Sequence, residues 1–338
     1  MGFFNISNRR YLGSKTRLLK FIEKVIKNEC KNAASFADLF AGTGVVSNML
    51  CHKYNMVVND ILLSNYHSYI TWFDNRRASK KRIQNILDEV NEKIKINDNY
   101  FSNNFSNTYF TRHNALKIGY MRDLIERYSY DKFINKREES ILLTSLIYAA
   151  DKVANTCGHY DAYRMKMDSK KKIEFLMPEF STTRAKNIEI YNEDANILVK
   201  KIKTDIVYID PPYNSRQYSD TYHLLENLVE WKKPKVYGIA KKIKDRSHIK
   251  SLYCTKEAKN IFMDLIKNIK TKYIVVSFNN MEKRGDGRSH SKISSDEIIE
   301  ILSQRGRVKI FKEDFKQFTT GKTMKEEHKE MLYVCKTK

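Results

Sequence analysis

The run Asp210-Pro-Pro-Tyr213 stands directly behind Asp205-Ile-Val-Tyr-Ile209, a β-branched and aromatic stretch typical of a strand buried on both faces of a parallel sheet. A carboxylate at the end of such a strand lies where open α/β sheets bind ligands, in the crevice outside the strand's carboxyl end. Proline has a fixed φ and no N–H, so Pro211 and Pro212 form a rigid turn that presents carbonyls. This set suits chemistry on an exocyclic amine. The lone pair of adenine N6 is delocalised into the ring, and two acceptors aimed at its N–H bonds favour the pyramidal form found near the transition state of methylation. If the reaction is methylation of such an amine, Asp210 can supply one acceptor through its carboxylate and Pro211 the other through its backbone carbonyl. Tyr213 offers a face on which an extruded base stacks and beside which a sulfonium is favoured. The aspartate need not be a strong base, because the N6 proton becomes acidic once the methyl arrives. Taken alone, the stretch reads equally well as a turn after a strand.

A second constellation precedes it. Phe36-Ala-Asp-Leu-Phe-Ala-Gly-Thr-Gly44 is a strand followed by a glycine turn, where the backbone can approach a ligand closely. It lacks the third glycine of a dinucleotide fingerprint and the lysine of a P-loop. Asp60 ends the next strand, where a carboxylate can accept hydrogen bonds from ribose hydroxyls. Together these fit a nucleoside cofactor without a pyrophosphate, S-adenosylmethionine being the obvious one; an ordinary tight turn and a surface aspartate are the plainer alternative.

The elements that must hold these residues alternate. Strands are expected at Ser35–Leu39, Met56–Asp60, Asp205–Ile209, Tyr273–Asn279, Val308–Phe311 and Met331–Cys335. Helical spacing of Ile261, Phe262, Leu265, Ile266 and Ile269, and of Ile298, Ile301 and Leu302 before a C-cap at Gly306, fills the gaps. This predicts an α/β fold with a doubly wound, mostly parallel sheet, closed by an antiparallel pair from the last two strands. Residues 66–190 break the alternation. They hold an amphipathic helix with Ile83, Ile86, Leu87, Val90 and Ile94 on one face, an aromatic stretch over 97–113, and an apolar helix over Ser140–Asn155. A mainly helical insertion between residues 1–65 and 191–338 is the expected organisation.

The chain of 338 residues carries 62 Lys and Arg against 40 Asp and Glu, a formal charge of +22, which points to a polyanion partner, nucleic acid foremost. A generally Lys-rich proteome would give the same number. Five separated cysteines show neither disulfide nor zinc spacing, so no metal is expected. No apolar run reaches membrane-spanning length and the start has no signal-peptide core, which fits a reducing cytoplasm.

With these motifs in this order, the chain resembles the Dam-like DNA adenine-N6 methyltransferases, those with the cofactor motifs first and the Asp-Pro-Pro-Tyr turn last. The resemblance implies the Rossmann-like fold of S-adenosylmethionine-dependent methyltransferases and transfer of a methyl to N6 of an adenine flipped out of duplex DNA. Arg9–Lys15 (RRYLGSK) is similar to the family's N-terminal segment, which implies that Tyr11 and Lys15 border the cofactor. The glycine-turn motif implies cofactor contacts from Asp38, Phe40, Gly42 and Gly44. Asp60 would then hold the ribose and Asp194, in Asn192–Leu198 (NEDANIL), the adenine amino group. Asp210, Pro211, Pro212 and Tyr213 carry over whole as the catalytic turn, with Asp210 also bordering the cofactor. The run after it, Asn214–Leu228, is similar to methyltransferases of type II and type IIS restriction systems, so a separately encoded restriction endonuclease is the implied companion. The family places its target-recognition domain after the ribose-binding acid, where the helical insertion lies.

Within the insertion, Ala154–Met165 gathers His159, Tyr163 and Arg164, residue types that reach base edges or phosphates. Equally, His159 and Arg164 could satisfy local backbone groups. Two basic segments, Trp231–Lys250 and Asn279–Lys292, flank the expected pocket; Arg164, Arg216, Lys283, Arg284 and Arg288 are the candidate DNA contacts, and His223 is expected to be structural. A monomer suffices to methylate one strand of an asymmetric site. An RNA base methyltransferase is the enzymatic rival, and a catalytically silent DNA-binding subunit the rival from another class.

Overall fold

The computed structural model describes residues 2–167, 171–180, 187–279, 291–314 and 329–338. Seven strands make the main sheet: β1 (Ser35–Asp38), β2 (Asn55–Asn59), β3 (Ile188–Tyr191), β4 (Ile206–Ile209), β5 (Tyr273–Asn279), β6 (Gly306–Asp314) and β7 (Lys329–Thr337). Their spatial order is β6-β7-β5-β4-β1-β2-β3. β3, β2, β1, β4 and β5 run parallel, and β7 pairs antiparallel with both β5 and β6. The chain winds outward from β1 through β2 in one direction and from β4 through β5 in the other. The crevice at the carboxyl ends of β1 and β4 is therefore the topological switch point.

Side chains of a strand alternate between faces, and here each face has its own core. Phe36, Met56, Val58, Ile206, Tyr208 and Val275 point into one, Ala37, Val57, Val207, Ile209, Ile274 and Val276 into the other. The first core also takes side chains from α1 (Leu19–Glu29), α2 (Val45–Leu50), α3 (Leu63–Phe73), α4 (Lys80–Glu92), α5 (Tyr100–Phe105), α6 (Arg112–Tyr130) and α7 (Lys136–Val153). The second is covered by α8 (Ala195–Leu198), α11 (Ala258–Asn268) and α12 (Ser295–Ser303). Between β4 and α11 the chain forms α9 (Tyr218–Thr221) and α10 (His223–Glu230).

Five helices, α3 to α7, thus lie between β2 and β3. The aromatic stretch over 97–113 is not a surface feature: Phe101, Phe105, Tyr109 and Phe110 are all buried in the first core. α4 stops at Glu92, so Ile94, expected on its apolar face, is 91% exposed. β3 was not legible beforehand, because an edge strand with Glu189 between two half-buried isoleucines has no continuous apolar signal. Gly306, expected to cap a helix, instead opens β6; α12 ends at Ser303, and a Cβ on Gly306 would come within 2.0 Å of the Lys336 carbonyl oxygen. The glycine is required by close strand approach, not by helix termination. Among the described residues, no helix is long and apolar enough to cross a membrane.

Candidate active site

One cavity opens at the switch point. Its lining includes Tyr11, Lys15, Asp38, Phe40, Gly42, Asp60, Asp194, Asp210 and Pro212, all singled out from the sequence. Parallel pairing explains the convergence of the acids: Asp38 ends β1 opposite Tyr208 of β4 and Val58 of β2, while Asp60 and Asp210 lie just beyond β2 and β4.

The glycine turn is held open by its own backbone. Gly42 sits at φ +54°, a conformation costly for side chains; its N–H donates to Asp60 Oδ2 at 2.9 Å and its carbonyl accepts from the Tyr69 hydroxyl at 2.7 Å. Gly44, at φ +80°, precedes α2 and faces α3, where a Cβ would lie 3.2 Å from Tyr69 and 3.3 Å from Phe73. It shapes the turn from behind and does not line the cavity. Asp60 also accepts from Leu62 N–H at 2.9 Å, so both its oxygens are oriented. Burial pushes its carboxyl up to about 6.

Asp38 is 1% exposed. Its Oδ2 accepts from the Ser47 hydroxyl at 2.7 Å, whereas Oδ1, equally buried, meets no hydrogen-bond donor among the described residues. Burial, with Asp210 and Asp60 nearby, pushes the carboxyl up to about 7 despite that hydroxyl. A buried acceptor without a donor calls for a ligand that brings one. Phe40 meets Tyr253 edge-on at 5.2 Å, and both rings line the cavity. Asp194, on the rim, caps α8, its Oδ1 accepting from Asn196 and Ile197 N–H. An orphaned carboxylate oxygen, an oriented carboxylate and two aromatic faces fit the ammonium, ribose and adenine of S-adenosylmethionine.

At the other end of the cavity, Asp210 Oδ1 meets Lys15 Nζ at 3.0 Å, and the same ammonium meets Glu330 Oε1 at 3.1 Å. Lys15 is 6% exposed, and its two carboxylates hold it charged, well above the ordinary lysine range, against the opposing effect of burial. Burial pushes Asp210 up to about 6, with Lys15 drawing it down. Pro211 is buried behind the turn. Tyr213 packs edge-on against Phe278 at 5.3 Å, and its hydroxyl accepts from Asn279 Nδ2 at 2.7 Å.

The N-terminal segment is fastened over the cavity by the stretch behind the turn. Leu12 N–H donates to the Tyr222 hydroxyl at 2.8 Å and its carbonyl accepts from the Tyr218 hydroxyl at 3.0 Å. Tyr11 stacks on Tyr222 with centroids 4.6 Å apart, and the Arg9 guanidinium lies 5.3 Å from the Tyr11 ring while pairing with Asp151. Glu226 of α10 accepts from Leu63 and Ser64 N–H at 2.8 and 3.0 Å, capping α3 from inside the protein. His223 is buried, its Nε2 2.9 Å from the Tyr160 carbonyl oxygen, and burial pushes its pKa down to about 4.

Of the candidate DNA contacts, Arg164 and Arg216 are exposed, Arg216 beyond the turn beside an Asn214 side chain that accepts its N–H. Lys283, Arg284 and Arg288 lie outside the described residues. In the first basic segment Lys242 pairs with Asp161 and Asp220, and Arg246 with Asp220, fixing that segment to α9. Sequence reasoning missed Glu330, Tyr218, Tyr222, Glu226 and Tyr253. The run containing three of them stood out, but nothing separates a buried glutamate from a surface one before its neighbours are known. Among the described residues no group of His, Cys, Asp and Glu is placed to hold a metal ion.

The chain belongs to the D12 class of N6 adenine-specific DNA methyltransferases, whose family model matches residues 11–285. It is 36% identical over 310 residues to the modification methylase StsI of Streptococcus sanguinis, covering 87% of this chain and 46% of that protein. It is 32% identical to the type II methyltransferase M.FokI of Planomicrobium okeanokoites (97% and 52% covered) and 30% to M.NlaIII of Neisseria lactamica (94% and 95%). The chain thus spans about half the length of the first two and nearly all of the third.

Proposed function

We propose that this protein transfers a methyl group from S-adenosylmethionine to N6 of an adenine turned out of duplex DNA. The observation that carries this is the meeting of Asp38, Asp60 and Asp210 in one cavity at the switch point, with a buried Asp38 oxygen that has no donor among the described residues. Asp38 would hold the cofactor's ammonium, Asp60 its ribose, and Phe40, Asp194 and Tyr253 would surround its adenine, with Tyr11 and Lys15 bordering the site and Gly42 and Gly44 shaping the turn. The cofactor supplies an electrophilic methyl whose transfer forms the N6–C bond and leaves the C–S electron pair on sulfur.

The chain's own task is to ready the amine. Asp210, kept ionised by Lys15, accepts a hydrogen bond from one N6–H through its carboxylate, and the Pro211 carbonyl accepts one from the other, drawing the lone pair out of the ring. Pro212 stiffens the turn, and Tyr213, braced by Asn279 and Phe278, stacks on the base. After transfer the nitrogen is acidic, and it gives one proton to the Asp210 carboxylate it faces and from there to solvent. Residues from 66 up to the sheet strand Ile188–Tyr191 serve target recognition with Arg164, while Arg216, Lys283, Arg284 and Arg288 contact DNA. The five cysteines form no disulfide among the described residues, which suits a reducing cytoplasm, one chain suffices as a monomer, and relatives named as a modification methylase and a type II methyltransferase support a separately encoded restriction endonuclease.

Incubating the purified chain with labelled S-adenosylmethionine and adenine-containing duplexes, followed by nucleoside separation, should place the label in N6-methyladenine. Label in 4-methylcytosine, or in RNA in preference to duplex DNA, would overturn the substrate assignment.

A further inference from the structure

We infer that Glu330 is a positioning residue for methyl transfer: by sharing the Lys15 ammonium with Asp210, it leaves the acceptor turn with a net negative charge. The inference rests on the methyltransferase reading and extends it to a residue outside the turn. Glu330 is 3% exposed on β7, and its Oε1 receives both the Ser277 hydroxyl at 2.8 Å and the Lys15 ammonium at 3.1 Å. Its register partner across the β5–β7 ladder is Asn279, the residue that donates to the Tyr213 hydroxyl. Directly opposed residues of an antiparallel pair project to the same face. One cross-strand pair therefore braces both ends of the turn, Asn279 through Tyr213 and Glu330 through Lys15 and Asp210.

The charges explain why a second carboxylate is useful. An ammonium 3.0 Å from Asp210 orients it but also withdraws electron density from the carboxylate proposed to bind the amine. Lys15 and Asp210 alone sum to zero, an environment poorly matched to a nitrogen gaining positive charge as the methyl arrives. With Glu330 the three sum to minus one, in a buried setting where such differences are weakly screened. The groups that face Asp210 are Lys15, Glu330 and Asp38, with the phenols of Tyr208, Tyr213 and Tyr218. Removing the Glu330 charge while keeping its shape lowers the Asp210 pKa, because a repelling anion is lost.

The test uses the full chain under single turnover, with saturating labelled S-adenosylmethionine and an adenine-containing duplex, from pH 5 to pH 9. Glu330→Gln should lower the plateau rate about tenfold, with cofactor and duplex Kd within about twofold of wild type. The acid limb of its pH profile should move to lower pH, and Glu330→Asp, which keeps the charge, should restore the limb and part of the rate. A wild-type rate and limb in Glu330→Gln would overturn the inference, as would a lost rate with an unmoved limb, which would mean packing alone. Should Glu330→Gln fail to fold, Ser277→Ala, which frees the carboxylate, should lower the rate by a smaller factor, and an unchanged rate there would overturn it equally. A wild-type chain that leaves adenine unmethylated would instead contradict the methyltransferase reading, a result distinct from an active wild type with an equally active variant.

Discussion

The two ends of the cavity are built from the same kind of part and completed in opposite ways. Asp38 ends one parallel strand and Asp210 follows the end of the next, and burial raises both. Asp210 has a lysine of the chain at 3.0 Å, whereas Asp38 has a hydroxyl on one oxygen and, among the described residues, no donor on the other. On the proposed reading, the acceptor end is assembled in advance and the cofactor end takes a charge that the ligand brings. Preassembly suits a group that acts on a nearly neutral amine, while a missing counter-charge suits selection of a cation.

Substitutions separate the ends. Asp210→Asn should cut single-turnover methylation by about a thousandfold or more while changing cofactor Kd little, measured by filter assay and calorimetry. A parallel loss of binding would merge the two ends into one. Asp38→Asn should do the reverse, costing about 2 kcal/mol of cofactor affinity, roughly a 30-fold rise in Kd, with a smaller effect on the rate at saturation.

Protonation sharpens the same contrast. Because the free Asp38 carboxyl titrates near 7, cofactor Kd should rise as pH falls below about 7, approaching tenfold per unit, and level off above it. Stability of the ligand-free chain runs the other way. Asp38 and Glu226 both titrate near 7 in the fold, above the roughly 4 of an unfolded carboxylate, so their contribution is full below about 4 and is lost as pH rises through about 7. Tm without ligand should therefore fall between pH 5 and pH 8, and saturating cofactor should reverse most of the fall; a Tm that rises over that window would contradict these titrations. The smallest expected effect is at the rim, where Arg216→Ala should weaken duplex binding a few-fold and reduce the salt slope of log Kd by about 1.

Much of this was readable in the residues, for definite reasons. Strands buried on both faces, such as Ile206–Ile209, announce themselves as unbroken apolar runs, and the acids at their ends stand out against them. The parallel order then brings Asp38, Asp60 and Asp210 together with no further information. The edge strand Ile188–Tyr191 escaped because it is half-exposed and carries Glu189. Asp194 was expected as a ligand contact alone, and the structure also makes it a helix cap, a use of the same carboxylate that spacing does not separate. Glu330, Tyr218 and Tyr222 act through tertiary contacts with Lys15 and Leu12, more than 200 residues away in the chain, and local pattern carries no trace of such pairings.

The most direct test is a crystal structure of the chain with S-adenosylhomocysteine and an adenine-containing duplex. The account predicts the amino acid end of the ligand with its ammonium on Asp38 Oδ1, and an adenine outside the helix with its amino group between the Asp210 carboxylate and the Pro211 carbonyl. A ligand bound away from Asp38, or Asp210 turned from the extruded base, would contradict it.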